Sequence, residues 1–260
     1  MATQERNLNR RRIDATQAEI DLFVERLGTF FSGNLEKILK DLKDGKLKAL
    51  EAAKILGGLS NGLMQAGLEK ELRAIEKVYG VQMRTVNEFY QQNEISDHIF
   101  ADADYKVVEQ LVKLDTRIAQ GEILKNADQV ASVMMRKIIV GEPLETQVML
   151  EYYGKGLQRE IRTEIETTTS GYYRSITQAK AKEVGLDYFV YLGPDDGITR
   201  PFCKARVNKI FTRSQISKWS NGTDLSAAIY AGGYNCRHDL VPLTKEKADS
   251  YVDRGIYSWG

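Results

Sequence analysis

The chain has four prolines, Pro143, Pro194, Pro201 and Pro242, and none precedes position 143. Proline lacks the N–H a helix interior needs and clashes with the preceding turn. A long proline-free stretch with apolar residues every three or four positions therefore predicts an all-helical region. Residues 18–42 fit, with Ile20, Phe23, Val24, Leu27, Phe30, Phe31, Leu35, Ile38, Leu39 and Leu42 on one face and Gly45 as the stop. A second segment, 47–79, carries Gly57, Gly58, Gly62 and Gly67. That density weakens a straight helix and suggests close helix packing or a movable hinge. A third segment, 95–119, carries Ile99, Phe100, Ala103, Val107, Val108, Leu111, Leu114 and Ile118, and a fourth spans 122–140, before Gly141 and Pro143. A fifth, 144–182, contains Gly154, Gly156 and Gly171, which could divide it into two helices. No repeat period is apparent, and the apolar stripes read as bundle core.

The pattern changes near residue 185. "YFVYL" at 188–192 is aromatic and β-branched, so it reads as a strand. "GPDDG" supplies turn chemistry, and "RVNKIFT" offers a second strand. "TRSQISKWSNG" predicts a short helix in which Thr212 and Gln215 form a capping box. "GGYNCRHDLVPL" is a glycine-led turn running into a strand, and the final residues read as a tail or a short helix. The expected fold is α+β and predominantly α-helical. A helical N-terminal region, 1–145, precedes a small C-terminal α+β module within 146–260.

Charge and cysteine usage narrow the classes. The 37 basic and 36 acidic residues give a net charge of +1, which argues against a strongly basic nucleic-acid coat while leaving room for a local patch. No run approaches the roughly 18 apolar residues of a membrane span. The first residues carry no apolar stretch behind their basic ones, so no secretory signal is expected. Two cysteines suit a reducing cytosol rather than a disulfide framework. Arg6, Arg10, Arg11 and Arg12 face one acid, Glu5, and read as a solvated N-terminus or, alternatively, an arm for DNA or an acidic partner. His98, alone among acidic residues, reads as a surface or capping residue.

Two short motifs stand out. The first holds Asp195, Asp196, Thr199, Arg200, Pro201 and Cys203, and the second Asn235, Cys236, Arg237 and His238, with Pro242 close behind. Together, in this order, they resemble the C-terminal domain of the phage Mu F-like minor head proteins, the MuF domain. The similarity spans about 150–245, with residues 161–185 as the preceding helix. The resemblance implies a minor capsid protein of a tailed bacteriophage, made in the host cytoplasm and located in the virion near the portal. Its partners would be the portal protein and other head proteins, and its role head morphogenesis, DNA packaging and retention, or genome ejection. The chain ends soon after the second motif, so no fused toxin domain is expected. No catalysis is expected either. The alternatives are a DNA-binding ejection protein and a metal- or cysteine-dependent enzyme.

The motif residues also have direct chemical readings. Cys203, Cys236 and His238 could ligate a structural zinc, with Asp196 or Asp239 as a fourth ligand. Cys203 and Cys236 could instead form a disulfide, or stay reduced in a small core. A Cys–His dyad is expected only between Cys203 and His238, because residues 236 and 238 of one extended strand do not readily touch. Arg200 and Arg237 are expected to clamp the two motif segments, using Asp195 and Asp196 for one and Asp239 for the other. The other use for these arginines is a phosphate contact.

Overall fold

The computed structural model describes residues 4–44, 48–92, 102–142 and 155–260, and every structural statement concerns these. His98, Pro143, Leu144 and Gly154 lie outside them. Seven helices come first: α1 (Gln4–Lys43), α2 (Ala49–Gly57), α3 (Leu59–Gln65), α4 (Leu68–Leu72), α5 (Ile75–Gln92), α6 (Asp102–Val140) and α7 (Lys155–Glu183). Then follow β1 (Tyr188–Leu192), α8 (Pro201–Lys204), β2 (Lys209–Thr212), α9 (Arg213–Ile216), α10 (Ala227–Tyr230), β3 (Asp239–Leu243), α11 (Lys245–Asp253) and β4 (Ser258–Trp259). The fold is a predominantly helical α+β fold.

The chain forms two compact units. The helical unit comprises residues 19–77 and 107–165, and the sheet-bearing unit residues 1–18, 78–106 and 166–260. The helical unit is built on the apolar stripe of α1. Ile20, Phe23, Val24, Leu27, Phe31, Leu35 and Leu39 are buried, as the three-and-four spacing predicts, while Phe30 and Ile38 at the edge of the stripe are only half-buried. Leu63, Leu68 and Leu72 from the short helices and Ile123, Ala127, Val130 and Met134 from α6 complete the core.

Glycine acts here differently from the expectation. A Cβ on Gly57 or Gly62 would meet nothing within 4 Å, so these residues mark no close helix contact. Gly67 alone among the four takes a positive φ, 103°, and separates α3 from α4. Residues 107–140 form one uninterrupted helical stretch, so the break expected between 119 and 122 is absent. A single interior glycine, Gly121, costs only about 1 kcal/mol, too little to interrupt so long a helix. Likewise α7 runs unbroken through Gly171.

In the sheet-bearing unit the strand order is β3-β1-β2-β4. β1 pairs antiparallel with both β2 and β3, and β2 pairs parallel with β4. The central position explains the near-continuous apolar run of β1, in which Phe189, Val190 and Tyr191 are fully buried. Thr212 and Gln215 form the expected capping box at the start of α9. The final residues fold into α11 and β4 rather than a tail. The absence of a Cβ on Gly171 lets the Tyr230 ring lie against α7, where any larger residue would collide with it.

Helix α1 begins well before residue 18, and one member of the arginine cluster read as solvated, Arg12, is turned inward. Arg12 is buried and ion-pairs with Asp239. Its guanidinium also lies 4.1 Å from the centre of the Tyr173 ring and donates to Gln82 Oε1 at 3.3 Å. Arg6 donates to Asn208 Oδ1 at 2.7 Å. Arg6, Arg10 and Arg11 are exposed and match the solvated reading.

Candidate functional site

The two motif segments meet beyond the end of β1. Gly193 and Pro194 lead into a loop that Asp196 and Thr199 organise. The Ile198 N–H donates to Asp196 Oδ1 at 3.2 Å, and the Thr199 hydroxyl donates to the Pro194 carbonyl at 2.9 Å. This is the local side-chain-to-backbone bonding that makes Asp and Thr turn residues. Pro201 then opens α8, where its fixed φ suits the first helical turn and its missing N–H costs nothing. Two residues later α8 delivers Cys203 into the interior.

The second segment is shaped by unusual backbone. Gly233 has φ 92°, and Ala231 and Asn235 have φ 50° and 53°. Asparagine tolerates the left-handed region better than most residues. Here Asn235 is tied to α7, its N–H donating to Thr167 Oγ1 at 3.0 Å. The bend comes before the strand. β3 begins at Asp239, so Cys236 and His238 are not in an extended strand. They touch, with Cys236 Sγ 3.7 Å from His238 Nδ1, which corrects the expectation that only Cys203 could approach the imidazole.

Two arginines bridge the segments. Arg237 donates to both oxygens of Asp196, at 2.9 and 2.8 Å, and holds that carboxyl below its usual range. Arg200 donates to the Gly232 carbonyl at 3.2 Å. The acids are therefore assigned differently from the expectation. Asp195 is exposed and takes no part in this bridging. Asp239 is fully buried and belongs to Arg12 and to Arg174, whose Nε lies 3.4 Å from Asp239 Oδ1. Arg237 lies at the surface and Asp239 inside, although the two are only two positions apart.

Beneath this clamp lie Cys203, Cys236 and His238, with exposures of 1%, 4% and 3%. Their ligating atoms all fall within 4.8 Å of one another, so these three residues could hold a metal ion. No carboxylate joins the group, among the described residues. Asp196 and Asp239 are taken by their arginines and do not supply a fourth ligand. Both cysteines are free thiols with Sγ atoms 3.6 Å apart. The contact from Cys203 holds the Cys236 thiol well below its usual range, helped by His238 and Arg174 and opposed by burial. The same contact, together with burial, pushes the Cys203 thiol up.

The surroundings are fitted closely to these side chains. The Tyr191 hydroxyl donates to Cys203 Sγ at 3.2 Å, and burial pushes that hydroxyl well above its usual range. The Tyr191 ring stacks on the His238 ring, centroids 5.3 Å apart at 18°. The Gly232 N–H donates to Cys236 Sγ at 3.2 Å. A Cβ on Gly232 would overlap Cys203 Sγ, and one on Gly193 would overlap the His238 ring.

Arg174 is the residue that sequence reasoning missed. It is 1% exposed and reaches from α7 to the backbone on both sides of Arg237. Its Nη2 donates to the Cys236 carbonyl at 2.5 Å and its Nε to the His238 carbonyl at 2.8 Å. A signal was available in "GYYRSI", where a lone arginine sits among residues that helical spacing turns inward. Compared with protein-family models, with curated proteins and with solved structures, the chain has no match.

Proposed function

We propose that the protein is a structural minor head protein of a tailed bacteriophage, bound at the portal inside the capsid and acting in head assembly or in retention and delivery of DNA. The reading starts from the paired motifs and their resemblance to the MuF domain. One observation carries it further: the motif side chains are spent on one another. Arg237 is committed to Asp196, Arg200 to the Gly232 carbonyl, and Cys203, Cys236 and His238 are buried. Motif residues used this way hold a small module in shape, as an assembly component requires, and we assign no reaction to them. The DNA-binding alternative draws less support, because Arg6 and Arg12 already make bonds within the chain.

The partner surface is assigned to the helical unit. On α6, Val107, Leu114 and Ile118, expected in the bundle core, are instead 61%, 51% and 49% exposed, and Ile139 is 81% exposed. Steps of seven, four and twenty-one residues place them along one side of a helix. Co-expression with the portal protein of the same phage tests the assignment. Co-purification is expected, and Leu114→Glu with Ile118→Glu is expected to abolish it. Absence of the protein from purified particles by mass spectrometry would overturn the head-protein reading.

A further inference from the structure

We propose that Cys203, Cys236 and His238 form a binding site for a thiophilic divalent cation of the zinc class, and that this ion ties the two motif segments together. The inference is independent of the head-protein reading, so either can fail alone.

The spacing suits such an ion. Two sulfurs about 2.3 Å from a tetrahedral zinc stand about 3.8 Å apart, and a sulfur and an imidazole nitrogen about 3.6 Å. The observed separations are 3.6 Å between the sulfurs and 3.7 Å between Cys236 Sγ and His238 Nδ1. A disulfide would need the sulfurs at about 2.05 Å and would give the histidine no role.

A second observation concerns His238. Its Nε2 is buried and has no hydrogen-bond partner among the described residues. Burying an imidazole this way is costly when no acceptor or donor network receives it. Ligation through Nδ1 would compensate the ring's desolvation at that nitrogen and fix the ring proton on Nε2, which has no acceptor among the described residues.

The outer contacts match those of a metal–thiolate centre. Sulfur ligands receive hydrogen bonds from the Gly232 N–H and the Tyr191 hydroxyl. Arg174 fixes the carbonyls of two of the three ligands, Cys236 and His238, and so sets how their side chains point. Two thiolates with one neutral imidazole would balance the charge of a divalent cation. That set favours zinc over magnesium or calcium, which prefer oxygen ligands.

The test uses the full chain, unfolded and refolded with cobalt(II) and, separately, with zinc. About one ion per chain should be retained after desalting, and the cobalt form should show thiolate-to-metal charge transfer with tetrahedral visible bands. His238→Ala should lose the ion, whereas His238→Cys should keep it, a rescue that a packing role would not produce. Cys203→Ser should weaken retention at least tenfold. Wild-type protein that refolds fully, takes up neither metal and shows no charge-transfer band would overturn the proposal. So would intact mass showing a Cys203–Cys236 disulfide in protein prepared under reducing conditions.

Discussion

The two units bury different chemistry. In the helical unit the buried residues are apolar, among the described residues. The buried polar and charged residues, Arg12, Thr16, Gln82, Thr167, Thr169, Arg174, Thr177, His238 and Asp239, all fall in the sheet-bearing unit. An apolar helical core asks for roughly the right volume in roughly the right place and tolerates exchange. A buried polar network asks for each partner by name, because one missing partner leaves another group desolvated and unpaired. The helical unit should therefore be forgiving and the sheet-bearing unit exacting.

The largest expected effect tests this directly. Asp239→Asn changes little volume but removes the carboxylate that faces Arg12 and Arg174. Leaving buried cations without their counter-charge should destabilise the sheet-bearing unit by about 3–5 kcal/mol. Leu35→Met, an equally conservative change in the helical unit, should cost less than about 1.5 kcal/mol. Urea unfolding of both variants against wild type measures the contrast. Equal costs would mean that the polar network does not specify its unit.

The same contrast limits what the sequence can show. The α1 stripe was legible because helical spacing is a local property, and residues 20–39 carry it openly. Strand β1 and the capping box at Thr212 were legible for the same reason, whereas the convergence of the two motifs was expected from their acids and arginines and not from local spacing. The polar network was not, because its members are remote in the chain. Arg12 and Asp239 are 227 positions apart, and Arg174 and Cys236 are 62 apart. Composition made Arg12 one of a basic cluster, and only the fold turns it inward. Similarly, sequence placed Asp239 near Arg237, while the fold holds the two in opposite environments.

A smaller effect compares one substitution at two glycines. Gly171 lies in the sheet-bearing unit, where an added Cβ would press on the Tyr230 ring at 2.6 Å. Gly171→Ala should cost about 1–3 kcal/mol through overpacking. Gly121 is an interior position of α6, and an added Cβ would meet nothing within 4 Å. Gly121→Ala should stabilise the helical unit by about 0.5–1 kcal/mol, since alanine loses less backbone freedom on folding. The opposite signs are the prediction, and thermal unfolding of the two variants reads them. A stabilising Gly171→Ala would show that the ring can move aside and that the sheet-bearing unit is less exacting than argued.

The smallest effect lies at the clamp, where the sheet-bearing unit meets solvent. Arg237 holds the Asp196 carboxyl below its unfolded value, with help from the Thr199 hydroxyl and the Ile198 N–H. A carboxyl whose folded pKa is depressed adds stability that is fully present above its unfolded value, about 3.9. That contribution is lost as pH falls through the folded value. Above about pH 5, Asp196→Asn should therefore melt slightly lower than wild type, and the gap should close as the pH is taken towards 2. Both partners are 41% exposed, so salt should narrow the gap at neutral pH as well. A gap that ignores both acid and salt would mean that Asp196 holds the loop through Thr199 and Ile198 alone. The clamp would then be a matter of turn geometry rather than charge, and the exacting character of this unit would reside entirely in its buried interior.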